Sequence, residues 1–162
     1  MVRRRLVKLQ AGELGSEDFQ VKGAVPMLQE LHQRGVTLYL ASGTDHADVV
    51  AEAEALGYAH WFEGRIFGAV GDVNVDAKRI VLERILQEHG LAGGSLVVFG
   101  DGPVEIREAR KRGGLAIGIA SDEVRRFGLD PAKRRRLILA GADLVVGDFT
   151  RRQELLDVLG LE

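Results

Sequence analysis

Asp101 and Glu105 stand four residues apart in the stretch Ser95–Arg112, SLVVFGDGPVEIREARKR. Leu96–Phe99 reads as a short buried strand, followed by a sharp turn and a helix. Gly100 and Gly102 free the backbone on either side of Asp101. Pro103, with its fixed φ and missing N–H, suits the first helical position. Asp101 therefore falls just past the C-terminal end of a strand, where open α/β sheets place their ligands. One helical turn brings the Glu105 carboxylate back towards it. Two such acids repel unless a proton or a cation lies between them. An all-oxygen site of this kind suits Mg²⁺, which commonly takes one or two carboxylates, waters and a phosphate. A plainer reading stands beside it: Asp101 as a turn residue or cap, Glu105 as a solvated acid favoured by the helix dipole.

Two further positions carry similar chemistry. Val36–Ala41, VTLYLA, reads as a parallel strand and runs into Ser42-Gly43-Thr44-Asp45. A hydroxyl and free backbone N–H groups at that point make a seat for a phosphate oxygen, although Ser42 taken alone is an ordinary turn residue before a helix. Lys78 and Arg79 open a helix over Ala77–His89, where the helix dipole disfavours cations by a few tenths of a kcal/mol. A cation placed there against that preference calls for an anionic partner. An exposed lysine paired with a local carboxylate explains it equally well.

The elements that must position these groups alternate along the chain. Helices are expected over Ala24–Arg34 (stopped by Gly35), Asp45–Leu56 (capped by Thr44 or Asp45), Ala77–His89 (capped by Asp76), Pro103 onwards, Pro131–Ala140, and after a Thr150-x-x-Gln153 capping box. Strands are expected at Val36–Ala41, Ile66–Val70, Leu96–Phe99, Leu115–Ile119 and Leu144–Val146. Met1–Gln10 fits a basic amphipathic helix or a strand. Alternating strands and helices specify an α/β fold with a parallel sheet covered on both faces.

Composition narrows the function classes. The 162 residues are one domain's worth, 46% hydrophobic and 28% charged, as in soluble globular proteins. A net charge of −2 argues against a general nucleic-acid binder, so Arg3–Arg5 and Lys133–Arg136 read as solvated helix faces. Without cysteine there is no disulfide, thiol catalysis or zinc–thiolate site. The four histidines are scattered without ligand spacing and read as surface residues. No apolar run matches a membrane span and no signal peptide is visible, so a cytoplasmic location is expected.

Taken in chain order, Ser42, Lys78 and the Asp101/Glu105 pair resemble the second, third and fourth motifs of the haloacid dehalogenase (HAD) superfamily. LYLAS ends a hydrophobic strand in serine, Lys78 precedes the fourth motif, and FGDGPVE supplies Gly-Asp with a second acid four residues on. WFEGRIFG is similar to the corresponding segment of the beta-phosphoglucomutase-like branch. The resemblance covers about residues 17–160 and implies a three-layer Rossmann-like core acting as a Mg²⁺-dependent phosphatase, or phosphomutase, on a small phosphorylated metabolite. It implies that Ser42 and the Gly43 N–H bind the phosphoryl group and that Lys78 neutralises it. Asp101 would hold Mg²⁺, with Glu105 supporting the ion. The family's first motif, Asp-x-Asp-x-Thr, which carries its nucleophile, has no match before Val36. Residues 1–16 then read as the end of a cap helix and a linker, and residues 17–162 as a partial core. The expectation is a sheet without its central strand, and a chain with little or no turnover of its own. Three ways of closing the gap are open: direct pairing of the flanking strands, insertion of Arg4–Gln10, or another chain, so exposed edges raise the chance of self-association. The alternative is a non-catalytic phosphate- and metal-binding or regulatory module.

Overall fold

A computed structural model describes residues 2–71 and 76–162. The elements follow in order α1 (Val2–Gln10), α2 (Ala24–Gln33), β1 (Leu40–Asp45), α3 (His46–Ala55), β2 (Ile66–Ala69), α4 (Ala77–Glu88), β3 (Val97–Gly100), α5 (Pro103–Lys111), β4 (Leu115–Ile119), α6 (Pro131–Ala140), β5 (Leu144–Val146) and α7 (Arg152–Val158). All strand pairings among them are parallel. Alternate residues of the strands face opposite helical covers, as the two-residue period requires. On one face Val98 and Ala116 pack with Ile106, Ala109 and Leu137 of α5 and α6, and Ala41 and Phe67 pack with Val81 and Ile85 of α4. On the other, Leu40, Phe99 and Val146 pack with Met27 and Leu31 of α2, Val49 of α3, and Leu155 and Leu156 of α7. The fold is the three-layer, Rossmann-like α/β arrangement expected from the sequence.

The parallel strands do not form one sheet. β1 pairs with β2, and β3–β4–β5 form a second set. Among the described residues no backbone bond joins β1 to β3. Yet the two strands share covers on both faces: Leu40 and Phe99 pack on the α2–α7 side, and Ala41 and Val98 both meet Leu82 and Leu86 of α4. The two strands thus lie between the same helical covers without a backbone bond to each other. Direct pairing of the flanking strands is therefore excluded. So is insertion of Arg4–Gln10, which lies in α1; that helix is tied to α3 by Arg3–Asp48 (3.3 Å) and Arg5–Glu52 (3.2 Å) ion pairs.

Several local expectations need correction. The strand expected at Val36–Ala41 begins at Leu40 and runs on to Asp45, because β2 offers ladder partners only from Ile66. Asp45 caps α3, accepting the Ala47 and Asp48 N–H groups. Asp76 occupies the first position before α4 without a side-chain capping bond, and its carboxylate pairs with Arg79 at 3.7 Å. The Thr150–Gln153 box does not form: Asp148 takes both the N–H and the hydroxyl of Thr150, and Gln153 donates to Asp157. Arg134–Arg136 are exposed as expected, but Lys133 is buried.

Candidate functional site

Three groups converge at the C-terminal rim of the strands. Asp101 follows β3 directly, Glu105 lies in the first turn of α5, and Lys78 in the first turn of α4. Lys78 Nζ donates to Asp101 Oδ1 at 3.2 Å and is bonded to Glu105 Oε1. The side chains differ in exposure: 60% for Asp101, 37% for Lys78 and 10% for Glu105. Two glycines permit these approaches. A Cβ on Gly43 would come within 2.9 Å of the Lys78 Cβ, and one on Gly100 within 2.5 Å of the Glu105 Cβ. Each side chain can therefore back directly onto a strand. The dipole penalty at the start of α4 is offset by two carboxylates, which answers the question its sequence position raises.

Charge is distributed unevenly over the cluster. Burial opposes the Lys78 ammonium, but the Asp101 and Glu105 carboxylates outweigh it and hold its pKa above the ordinary lysine value. Burial likewise works against an ionised Asp101, yet Lys78, with a hydrogen bond from Glu105, brings its pKa below the usual value. Glu105 moves the other way, because burial pushes its carboxyl up further than Lys78 draws it down. The ammonium between them relieves the repulsion of the pair, and Glu105 is the more easily protonated of the two acids.

Ser42 lies beside this cluster on a β-bulge. Ala41 pairs with Phe67 and Asp45 with Ala69, so four residues of β1 advance against two of β2. Bulges of this kind re-aim side chains at strand ends. The Ser42 Oγ accepts the Thr44 N–H at 3.2 Å, and the adjacent Gly43 is the residue packed on Lys78. The structure thus bonds Lys78, Asp101 and Glu105 to one another and sets Gly43 against them, with the Ser42 hydroxyl turned into its own bulge.

Lys133 escaped the sequence reading. Its Nζ donates to the Ser121 carbonyl at 3.2 Å and pairs with Glu123 at 2.9 Å, with 8% of its side chain exposed. Its charge adds to those that lower the Asp101 pKa. The signal was its spacing: Lys133 stands four residues before buried Leu137 and shares the inward face of α6.

Asp101 retains an exposed carboxylate, Glu105 stands beside it, and hard oxygen donors at a sheet rim suit Mg²⁺. Among the described residues there is no group of three or more metal-ligating side chains, so waters and a phosphate would have to complete an octahedral shell.

The chain matches the family model of haloacid dehalogenase-like hydrolases over residues 3–113, a span that includes Ser42, Lys78, Asp101 and Glu105. No curated protein matches it. Among solved structures, a protein of Clostridium acetobutylicum described as a predicted phosphatase shares 20% identity at a TM-score of 0.68, over 84% of this chain and 59% of its own. A HAD family hydrolase of Deinococcus radiodurans, crystallised with phosphate and sodium, shares 18% at 0.66, over 87% and 60%. A haloacid dehalogenase-like family protein of Streptococcus pneumoniae shares 23% at 0.63, over 85% and 58%. The chain thus spans about three fifths of the length of each of these relatives. It belongs to the haloacid dehalogenase-like hydrolases.

Proposed function

We propose that this chain carries the phosphate- and metal-holding part of a Mg²⁺-dependent phosphatase, cytoplasmic and acting on a small phosphorylated metabolite. The observation that carries the reading is the single lysine bonded to both acids at the rim, beside the bulged Ser42–Gly43 turn. Phosphoryl transfer is mostly positioning and charge neutralisation, and these are the groups it needs. Lys78, already committed to anions, would turn to a phosphoryl oxygen, and the Ser42 hydroxyl and Gly43 N–H would orient that group. Asp101 and Glu105 would hold Mg²⁺, which when bound supplies charge neutralisation for the phosphate.

The covalent step needs a carboxylate nucleophile, which the family takes from an Asp-x-Asp motif. The sequence contains no Asp-x-Asp. An aspartyl-phosphate would therefore form only when a further segment supplies the nucleophile. Calorimetry with Mg²⁺ and inorganic phosphate, run beside hydrolysis of an aryl phosphate, tests both halves. The expected result is binding weakened at least tenfold in Asp101→Asn, with no turnover approaching that of an intact phosphatase. Absence of Mg²⁺ and phosphate binding would overturn the seat. Turnover abolished by Asp101→Asn would show a nucleophile within the chain.

A further inference from the structure

α6 carries apolar side chains on two opposite faces. At about 100° per residue, Lys133 and Leu137 share one side of the helix, and both are buried. Pro131, Ala132, Arg135, Ile138 and Leu139 fall on the opposite side, and all are exposed. Ile138 is 44% exposed and Leu139 77%. Arg134 and Arg136 stand on the two flanks between these faces, also exposed. The outer side is therefore an aliphatic ridge with arginine along it and on either side. A helix that buries a single stripe ordinarily has polar residues at the positions of Ile138 and Leu139.

These three arginines lack the anions found beside others on the same surface. Arg79 pairs with Glu83, Arg110 with Asp143, Arg125 with Asp122 and Arg151 with Glu154. Among the described residues the side chains of Arg134, Arg135 and Arg136 make no ion pair or hydrogen bond. Acids near the two ends of α6 are engaged elsewhere. Asp130 accepts the Lys133 N–H at 2.8 Å, Glu123 pairs with Lys133 at 2.9 Å, and Asp143 pairs with Arg110 at 2.7 Å. A chain with a formal net charge of −2 thus gathers three unpaired positive charges around one apolar ridge.

Charge complementarity calls for an anionic partner, and the aliphatic residues narrow the choice. Nucleic-acid phosphates would satisfy the arginines but leave Ile138 and Leu139 without a counterpart. An acidic protein would need a groove shaped to a convex helix with charge on both flanks. A leaflet of acidic phospholipid meets both requirements at once. Its acyl boundary receives the aliphatic tips, while guanidinium groups, which suit phosphate oxygens, stay at the headgroup level. We propose that the outer face of α6 is a peripheral docking surface for anionic phospholipid membrane, with Ile138 and Leu139 inserted and Arg134, Arg135 and Arg136 on the headgroups. Such contact lies on the membrane surface, and among the described residues no helix is long and apolar enough to cross a bilayer. The proposal goes beyond the phosphatase reading and needs neither Mg²⁺ nor a phosphoryl group.

The test sediments the whole chain with vesicles of phosphatidylcholine, alone or with about 30% phosphatidylserine. The expected result is saturable binding to the acidic vesicles and binding at least about tenfold weaker to phosphatidylcholine alone. Each arginine near an acidic surface contributes roughly fivefold in affinity, so Arg134→Gln, Arg135→Gln and Arg136→Gln combined should weaken binding about a hundredfold. Leu139→Ser leaves the charge intact and should weaken it about fivefold or more. All four positions are exposed, so the urea midpoints should match that of the parent chain, and misfolding then does not explain a loss. Equal binding to both vesicle types, or undiminished binding by the triple variant, would overturn the headgroup contacts. Undiminished binding by Leu139→Ser would overturn insertion. Tighter binding to polyglutamate than to acidic vesicles would overturn the proposal in favour of an acidic protein. A lipid-free dimer that Leu139→Ser dissociates would overturn it by assigning the ridge to a second copy. Binding is read without Mg²⁺ or inorganic phosphate, so it succeeds or fails separately from the phosphatase reading.

Discussion

β4 and the two strands β1 and β3 differ in one respect that explains most of what else differs. β4 has a strand on each side, and its Ala116 and Ile117 are completely buried. β1 and β3 each have a strand on one side only, and apolar Leu40, Ala41, Val97, Val98 and Phe99 stay half-buried despite helices on both faces. Sequence hydrophobicity does not separate them: LYLA and LVVF are as apolar as LAIGI. Burial in a parallel layer follows from neighbours as well as from covers. The same chain therefore contains a strand paired on both edges and two paired on one, and the rim cluster follows the strands paired on one.

Substitutions sharpen this contrast. Ile117→Ala in β4 should cost about 2–5 kcal/mol in urea unfolding, the range for a fully enclosed isoleucine. Lys78→Met comes next, at about 1–2 kcal/mol, because it leaves Asp101 and Glu105 facing each other without their cation; partial exposure of Lys78 keeps the loss below that of a buried pair. Glu105→Gln made together with Lys78→Met should recover much of that loss. Val98→Ala in β3 should cost about 1 kcal/mol, since part of its surface is already in water. Equal costs at Ile117 and Val98 would break the comparison.

The smallest effect is a pH limb just beyond β5. Burial opposes an ionised Asp148, but the Gly128 N–H (2.8 Å) and the N–H and hydroxyl of Thr150 outweigh it, so its pKa lies below the ordinary value. A lowered folded-state pKa gives stability that is complete above the unfolded value, about 4, and is lost as the pH falls through the folded value. Asp148→Asn should flatten the acid limb of a stability–pH curve below about pH 4. Asp101 contributes in the same direction, whereas Glu105, with its raised pKa, opposes it.

Much of this was legible in the residues. Leu115–Ile119, Leu144–Val146 and Pro131–Ala140 fall where pattern and punctuation put them, because apolar runs bounded by glycine and proline leave few choices. The convergence of Lys78 with Asp101 and Glu105 was legible from their order and from the family resemblance. Less legible were features that depend on partners. The start of β1 depends on where β2 begins, and the Thr150 hydroxyl went to Asp148 because that acceptor was closer than its own helix. The bulge at Ser42 could not be read from composition, since it records a mismatch between two strands. Lys133 was hidden by the arginines that follow it.

Amide exchange, residue by residue, tests the interrupted layer most directly. The account predicts that the N–H groups of Tyr39, Ala41, Val97 and Phe99 exchange at least about a hundredfold faster than those of Ala116–Ile119, whose partners lie on both sides. Equal protection in the two sets, in a chain that sediments as a monomer, would show that β1 and β3 are paired after all and would contradict the account.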